Sequence, residues 1–307
     1  MRAGRPPSAG VAPDAAARPL SLRHRGEALA AGLAFALFGL LPLASASALG
    51  GGLARLLGPR LPLSNRARAN LRLAMPELSE REIARIVKGM WDNLGRVAAE
   101  YPHLRAIRVF AKDGPVETRG FEHMDRAVAA GRPMIIFSGH LANWEIGALA
   151  ALEYGVSVIQ IYRALNNPLV DRMIAKFRGS PGAFVEKGAE AARAAASALK
   201  SGRHLTLLAD QKLNEGIAVP FFGRPAMTAP LLAALALRFE CDLLPARVER
   251  KGRARFRLTV HPPLPLPKER DRNAAVAALT AAINQTLEGW IRERPSEWFW
   301  LHRRWGD

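Results

Sequence analysis

The spacing of apolar and polar residues changes character at about residue 112 of the 307-residue chain. Upstream, apolar residues recur at helical spacing, which predicts helices over residues 64–112. Ser79 and Glu82 form a predicted capping box directly before one apolar stripe, which starts at Ile83. Downstream, apolar runs of strand length alternate with segments of helical periodicity. An α/β fold with a mixed central sheet flanked by helices follows from this alternation.

Five apolar runs are predicted to be strands, and the segments between and after them to be helices. The strands are predicted at 133–137, 156–162, 204–208, 243–250 and 255–261. The helices are predicted at 141–154, 167–177, 190–199, 228–239 and 273–292. The last two strands are expected to pair antiparallel, and Thr228 is expected to cap the helix that follows it. Residues 211–226 show neither helical nor strand periodicity, which predicts a loop. A loop of this length often serves as a lid.

Residues 28–54 contain no charged residue. Because about 20 apolar residues cross the hydrocarbon core of a bilayer, this stretch could span a membrane once. It could also lie as a bent helix in the membrane interface, or act as a cleavable signal peptide. Pro42 and the triple glycine that starts at Gly50 are expected to bend or end a helix. We predict a retained membrane-anchor helix within residues 27–58, after a basic, disordered segment at residues 1–26.

The chain carries a formal net charge of +17. Such a field attracts anions, which include nucleic acid, anionic lipid headgroups and acidic proteins, and charge alone does not choose among them. The single cysteine, Cys241, excludes an internal disulfide and a cysteine-based zinc site, and its position predicts a buried thiol. The sequence has no phosphate-binding glycine loop, no dinucleotide fingerprint, no Gly-x-Ser-x-Gly elbow and no histidine pair at metal spacing. Neither a cofactor nor a metal is therefore expected.

The most informative residues are His140 and Glu145, at a predicted strand-to-helix turn. If His140 lies just before the helix and Glu145 on its first turns, the two side chains can meet. The carboxylate would then fix the imidazole tautomer while the other ring nitrogen takes a proton. A core histidine at a turn with a solvated glutamate is the alternative, because a motif of two residues is weak.

Arg163 and Asp210, like His140, follow predicted strands at their carboxyl ends. Sites in open α/β sheets lie at that edge, so these three polar side chains are expected to converge on one crevice. Because no protein nucleophile accompanies the histidine, the sequence favours general-base activation of a substrate hydroxyl.

Six motifs stand in order in the chain that follows the predicted anchor. They are Asn65–Leu71 with Met75–Glu77, Gly139–Glu145, Tyr162–Arg163 with Asn166–Pro168, Asp210–Lys212, Val219–Gly223 and Trp298–Trp305. Together they resemble the lauroyl/myristoyl acyltransferase family of lipid A biosynthesis, and the second is that family's pattern of a histidine and an acid separated by four residues. The resemblance covers nearly all of the chain outside the predicted anchor.

This resemblance implies a glycerolipid-acyltransferase-like fold over residues 59–307 and a cytoplasm-facing enzyme of the cell inner membrane. Such enzymes transfer a fatty acyl chain from acyl carrier protein to a hydroxyl on an acyl chain of a lipid A precursor. His140 would deprotonate that hydroxyl, and Glu145 would orient His140 and stabilise the imidazolium. Backbone N–H groups at residues 141–143 would stabilise the oxyanion. The expected partners are acyl carrier protein, the lipid A precursor and the inner membrane, without nucleic acid.

The predicted substrate-binding residues are polar and follow predicted strands. They are Asn143, Arg163, Asn167, Asp210, Gln211 and Lys212. Arg163 suits a phosphate of the lipid or of pantetheine, although a surface arginine is the alternative. Asp210 could instead anchor Arg163 or Lys212. Asn143 and Asn167 could instead cap helices.

Four of the six tryptophans lie in the last eighteen residues. They are Trp290, Trp298, Trp300 and Trp305. With arginines between them, the last three suit a membrane–water interface. Stacking on single-stranded nucleic acid and packing in a core are the alternatives, and Trp290 is expected in the core.

Two other functions stay open at the level of sequence. Transfer of an acyl chain to a different membrane lipid, such as a glycerolipid or a mannosylated inositol lipid, would use the same chemistry and the same motifs. A non-enzymatic basic protein that binds membranes or nucleic acid would explain the charge but not the order of the motifs.

Overall fold

A computed structural model describes residues 20–162, 164–178, 184–186 and 188–305. It contains a seven-stranded mixed sheet with helices packed on it, and a separate two-stranded hairpin. The predicted α/β fold with a mixed central sheet is thereby confirmed. The helices are α1 (Leu22–Gly39), α2 (Leu43–Leu57), α3 (Leu63–Ala74), α4 (Glu80–Glu100), α5 (Glu122–Ala129), α6 (Glu145–Glu153), α7 (Pro168–Arg178), α8 (Ala189–Lys200), α9 (Leu231–Phe239) and α10 (Arg272–Glu293). The strands are β1 (Val116–Arg119), β2 (Met134–Ser138), β3 (Val158–Tyr162), β4 (Phe184–Glu186), β5 (His204–Leu208), β6 (Lys212–Phe221), β7 (Arg224–Thr228), β8 (Asp242–Arg250) and β9 (Phe256–Val260).

The large sheet has the strand order β1-β9-β8-β2-β5-β3-β4, with β2 in the middle. Among the described strands of this sheet, β8 and β9 pair antiparallel, as predicted from the sequence, and the other neighbours are parallel. Ile135 and Phe137 join one hydrophobic cluster, while Met134 and Ile136 join the other. A strand that is buried on both faces reads as a continuous apolar run, and β2 does. Its carboxyl end therefore opens at the centre of one sheet edge.

The segment predicted as a long loop forms the β6–β7 hairpin instead. Its pairing register shifts between Lys212 and Ile217, and this irregularity interrupts the alternation by which a strand is recognised in a sequence. Thr228 ends β7 and does not cap a helix, because α9 begins at Leu231 without a side-chain cap. The predicted capping box of Ser79 and Glu82 is present at the start of α4.

The predicted anchor at residues 27–58 is divided into α1 and α2, which are separated at Pro42 as expected. Residues 1–19 of the predicted disordered segment lie outside the described residues, and α1 begins at Leu22. The triple glycine was predicted to bend or end a helix, yet α2 continues through it. A Cβ at Gly50 would lie 2.5 Å from the carbonyl oxygen of Gly95, so these glycines let α2 pack closely on α4. Within the described ranges, every helix is too short or too polar to cross a bilayer.

Both N-terminal helices expose leucines on one side. They are Leu29, Leu33, Leu37 and, just beyond α1, Leu40, together with Leu49, Leu53, Leu56 and Leu57 of α2. In α1 the leucines are four residues apart, which aligns them along a single helix face. Elsewhere on the same helix, Phe35 packs edge-on against Tyr101 and Phe177. In the described parts of the chain, α1 and α2 thus each leave apolar side chains open to the surroundings.

The C-terminal tryptophans are buried, so their predicted place at a membrane interface is wrong. Trp298 and Trp300 are fully buried, and Trp290 and Trp305 nearly so. Arg304 lies among them, where burial lowers its pKa to about 10. The segment that contains these residues packs against the turn after β2, because Phe299 N–H donates to the carbonyl oxygen of His140. Cys241 is buried as predicted, and burial raises its pKa to about 11.

His204 gives folding a dependence on pH. Its Nδ1 accepts a hydrogen bond from the backbone N–H of Met134 at 3.2 Å, and burial lowers the pKa of the imidazole. The unfolded chain therefore takes up this proton at a higher pH than the folded chain does. We expect the contribution of His204 to the free energy of unfolding to decrease as the pH falls below about 6.5.

The substitution His204→Asn tests this expectation, because an amide oxygen can accept the same hydrogen bond without titrating. Urea unfolding of both proteins at several pH values between neutrality and mild acid should give a shallower decline for the variant. Parallel declines in the two proteins would contradict the assignment.

Candidate active site

His140 and Asp210 lie side by side because β2 and β5 are parallel neighbours. Ser138 pairs with Leu208 in this ladder, and each site residue follows its strand by two positions. The Ala209 N–H donates to the Ser138 carbonyl oxygen at 2.8 Å and extends the alignment toward the site. The structure therefore brings these two predicted residues together at the carboxyl edge of the sheet. Arg163, the third residue expected there, lies outside the described residues.

The Asp210 carboxylate is fully buried and holds His140 at two points. Its Oδ1 accepts from His140 Nδ1 at 2.7 Å, and its Oδ2 accepts from the His140 backbone N–H at 2.7 Å. Trp298 Nε1 donates to Oδ2 at 2.7 Å. A Cβ at Gly139 would lie 3.3 Å from Oδ2, so the lack of a side chain there helps the carboxylate to approach the turn. Among the described residues, His140 and Trp298 are therefore the hydrogen-bond partners of Asp210, rather than Lys212, which was one alternative partner.

Charge around Asp210 determines which imidazole nitrogen is free to act as a base. Burial raises the pKa of Asp210, but the charge and hydrogen bonds of His140, together with His302, outweigh it and hold this pKa below its usual range. An ionised carboxylate only accepts hydrogen bonds, so Nδ1 of His140 carries its hydrogen. Nε2 is then the nitrogen that can receive a proton.

His302, which sequence reasoning did not single out, completes this cluster. Its Nε2 lies 3.9 Å from Asp210 Oδ2, and its ring centroid lies 4.7 Å from that of His140. Among the described residues, these three form the one group with potential metal-ligand atoms within 4.8 Å of one another. Because the carboxylate already accepts from Nδ1 and from Trp298, the donor set fits a hydrogen-bonded base better than a metal centre.

Glu145 was predicted to orient His140, but its carboxylate is hydrogen-bonded to other residues. It is buried at the first position of α6, where its Oε1 accepts from the Tyr101 hydroxyl at 2.8 Å. Arg178 donates to the same carboxylate through Nη2 at 2.6 Å and Nε at 2.8 Å. The physical reason is the turn: Ala142 has a φ of 49°, and the helix predicted from residue 141 begins only at Glu145.

Arg178 is an additional site residue that carried no signal in the sequence. Burial lowers its pKa, but the adjacent Glu145 carboxylate outweighs burial and raises the pKa above its usual value. Burial and the same carboxylate raise the pKa of Tyr101 well above its usual range. The guanidinium lies 5.9 Å from the ring centroid of Tyr162 and lines the cavity beside His140.

Two asparagines that were predicted to bind substrate form hydrogen bonds within the protein. Asn143 is fully buried, donates to Glu100 at 2.8 Å and accepts from the Glu145 backbone N–H at 3.1 Å. Asn167 accepts from the Leu169 N–H at 3.0 Å, which caps α7, and donates to α1. The capping alternative therefore describes Asn167, whereas Asn143 precedes the first residue of α6 by two positions; contact of either residue with substrate stays a prediction.

Two of the three backbone N–H groups that were predicted to stabilise the oxyanion make internal hydrogen bonds. The N–H of Leu141 donates to Gly139 at 2.8 Å, and that of Ala142 donates to the carbonyl oxygen of Glu297 at 3.0 Å. Gln211 does line the site cavity, whereas Lys212 begins β6 rather than a lid.

Two cavities near His140 share part of their walls. The first has a volume of about 110 Å³ and is lined by His140, Arg178 and Gln211, among other residues. The second has a volume of about 40 Å³, is lined mainly by apolar residues and lies between α6 and the sheet. Both are lined by Trp144, Gln160, Leu207 and Leu208. A mainly apolar space therefore lies close to the histidine.

These observations define an α/β protein with a histidine–carboxylate pair at the edge of its sheet, beside a cavity. The chain belongs to the bacterial lipid A biosynthesis acyltransferase family, because the sequence model of that family matches residues 18–306.

Individual relatives are moderately similar to this chain. The lipid A biosynthesis lauroyltransferase of Escherichia coli (strain K12) is 27% identical over 250 residues, which cover 76% of each chain. The phosphatidylinositol mannoside acyltransferase of Mycobacterium tuberculosis (strain ATCC 25618 / H37Rv) is 27% identical over 192 residues. That match covers 61% of this chain and 58% of the mycobacterial enzyme. Among solved structures, the 1-acyl-sn-glycerophosphate acyltransferase PlsC from Thermotoga maritima aligns with a TM-score of 0.38 and 15% identity, over 90% of this chain and 99% of that one.

The geometry makes the Glu145–Arg178 pair a structural ion pair. We expect Glu145→Ala to lower the free energy of unfolding by about 3–5 kcal/mol, because it leaves a largely buried guanidinium without its carboxylate. Urea unfolding measures the loss. The matched control is Glu117→Ala, which removes a carboxylate that pairs with Arg257 at the surface and should cause no resolvable change. Equal effects of the two substitutions would rule out this role.

Proposed function

We propose that this protein transfers a fatty acyl chain from acyl carrier protein to a hydroxyl on a lipid A precursor. The observation that carries the proposal is the His140–Asp210 pair, whose histidine lies in the wall of a cavity at the edge of the sheet. Membership of the family supports the acyl chemistry. The name of the Escherichia coli relative supports lipid A as the acceptor.

In the proposed reaction, His140 Nε2 removes the proton of the acceptor hydroxyl. The oxygen attacks the thioester carbonyl carbon and forms a tetrahedral oxyanion. Collapse of this intermediate breaks the carbon–sulfur bond, and the imidazolium returns the proton to the departing thiolate. The products are the new ester and the free thiol of the carrier. Asp210 holds the required tautomer and stabilises the imidazolium, which is the role first expected of Glu145.

Arg178 is proposed to meet the negative charge of the substrates. Among the described residues that line the site cavity, it is the one with a guanidinium or ammonium group. The bidentate bond to Glu145 fixes its direction, so its charge is already in place when an oxyanion or a pantetheine phosphate arrives. In this proposal Glu145 acts through Arg178 rather than through His140.

The apolar cavity behind α6 is proposed to hold an acyl chain. Trp144 borders both cavities, so a chain whose carbonyl carbon lies near His140 would have to pass this side chain to reach the second cavity. Small residues of α6, among them Gly147 and Ala151, line that space. Each methylene group buried there contributes about 0.8 kcal/mol to binding, which favours long chains over short ones.

The cytoplasmic face of the inner membrane is the proposed location. The exposed leucines of α1 and α2 can enter the lipid interface, while the net charge of +17 attracts both anionic headgroups and an acidic carrier protein. Binding of single-stranded nucleic acid by stacking is less favoured, because the C-terminal tryptophans are buried.

A mannosylated inositol lipid is the second candidate acceptor. The observation that favours it is the similarity to the mycobacterial mannoside acyltransferase, which is as high in identity as that to the lauroyltransferase. The donor chemistry and the base would be unchanged, so the two acceptors are compared in one assay.

We expect His140→Ala and Asp210→Asn each to reduce acyl transfer, since a general base contributes about 10²–10⁴-fold to a rate. The assay uses membranes that contain the protein, radiolabelled lauroyl-acyl carrier protein, and either a lipid A precursor or a phosphatidylinositol mannoside. Glu117→Ala, on the surface far along the chain from both residues, should retain full transfer.

Each outcome of this assay has a distinct meaning. Undiminished transfer by folded His140→Ala would defeat the proposed mechanism. Transfer by the wild-type protein to the mannoside but not to the lipid A precursor would select the second acceptor.

The cavity behind α6 predicts control of chain length. A Cβ at Gly147 would meet no heavy atom within 4 Å, so Gly147→Leu adds an apolar side chain to the cavity wall without a clash at its Cβ. We expect the ratio of palmitoyl to lauroyl transfer to fall about tenfold, since a filled apolar pocket rejects extra methylene groups. Gly289→Leu is the matched control, because Gly289 is a helical glycine with equally open surroundings and lines neither cavity. An unchanged ratio in Gly147→Leu would exclude the cavity as the acyl site.

A further inference from the structure

A buried polar network lies directly behind the turn that carries His140. Arg250, at the end of β8, donates to the Glu100 carboxylate through Nη1 at 2.6 Å and Nη2 at 3.1 Å. Its Nε donates to Asn93 Oδ1 at 3.0 Å. Glu100 is fully buried, and none of these three residues takes part in the proposed proton transfer. The network therefore needs a reason other than chemistry on the substrate.

Asn93 and Glu100 of this network form hydrogen bonds with the turn. Asn93 Nδ2 donates to the carbonyl oxygen of Ala142 at 3.0 Å and to that of Glu297 at 3.2 Å. Glu100 accepts from the Asn143 side chain at 2.8 Å. The Ala142 N–H is itself bound to Glu297, so the turn is held through two consecutive residues.

The residue that receives these bonds has an unfavourable backbone conformation. Ala142 has a φ of 49°, in the left-handed region that favours glycine, and it is fully buried. A non-glycine residue stays in this region only where its surroundings hold it there. Two residues earlier in the chain, His140 depends on the same turn for its position.

We propose that Asn93, Glu100 and Arg250 are positioning residues that hold Ala142 in its left-handed conformation and thereby fix His140 against the acceptor hydroxyl. The inference rests on the proposed function, because it gives the turn its catalytic importance. Small displacements of a reacting group lower the rate steeply, so a loosened turn reduces kcat even when substrates still bind.

The network also reaches the N-terminal apolar helices. Ser47 of α2 donates to Glu100 Oε1 at 2.6 Å. Glu100 thus accepts hydrogen bonds from α2, from β8 and from the turn. It therefore links α2 and β8 to the turn that carries His140.

The test compares two substitutions in α4 that each remove the polar group of a buried side chain. Asn93→Ala removes the bonds to the turn, whereas Trp91→Phe removes a 2.8 Å bond to Ser64 that does not touch it. Both are assayed with lauroyl-acyl carrier protein and the lipid A precursor at a temperature where circular dichroism reports each protein folded. We expect Asn93→Ala to lower kcat about tenfold or more with little change in KM, and Trp91→Phe to keep the wild-type kcat.

A rescue experiment separates positioning from general stability. Glycine adopts a positive φ without strain, so Ala142→Gly in the Asn93→Ala background should recover at least about threefold in kcat. Arg250→Lys is the second variant: it keeps the charge beside Glu100 but loses the fork that also binds Asn93, and it should show a smaller loss with the same rescue.

The outcomes distinguish this inference from the proposed function. Absence of transfer to either lipid acceptor by the wild-type protein would refute the proposed function. An active wild type together with an Asn93→Ala variant whose kcat matches Trp91→Phe would overturn the inference alone. Failure of Ala142→Gly to restore kcat in both backgrounds would overturn it as well.

Discussion

The parallel pairing of β2 with β5 is the constraint on which the rest of the site depends. Its register places Ser138 opposite Leu208, so the residues two positions later emerge together at the sheet edge. A slip of one residue would turn every side chain of the strand to the other face. Because β2 is covered by hydrophobic clusters on both faces, such a slip would also disturb both cores. Core packing therefore determines the distance between His140 and Asp210.

Three buried acids surround the site, and each has its own cation or donors. Asp210 pairs with His140, Glu145 with Arg178, and Glu100 with Arg250. A buried carboxylate without a partner is costly, so neighbouring acids cannot exchange these partners freely. In the proposed mechanism the three acids have different roles: Asp210 orients the base, Glu145 directs the guanidinium of Arg178, and Glu100 supports the turn.

Sequence patterns predicted the parts of this site that depend on strands. The apolar runs before His140 and Asp210 identified both residues as neighbours at a sheet edge, which the structure bears out. The partner of Glu145 was not predictable, because the left-handed Ala142 delays the start of α6 and no local pattern encodes that turn. The β6–β7 hairpin was missed because its register shift interrupts the alternation of apolar residues. The place of the C-terminal tryptophans was predicted wrongly because tryptophans beside arginines occur both in protein cores and at membrane interfaces. Composition alone does not distinguish the two.

The triple glycine of α2 can be understood from the same network. Glycine within a helix costs about 1 kcal/mol relative to alanine, so a helix that contains three needs a compensating gain. Gly50 and Gly51 let α2 approach α4 so closely that Ser47 reaches Glu100, while the leucines of α2 face outward. One helix thus carries both an apolar outer face and a hydrogen bond to the support of the catalytic turn. Direct contacts, rather than a flexible linker, consequently set the distance from that apolar face to His140.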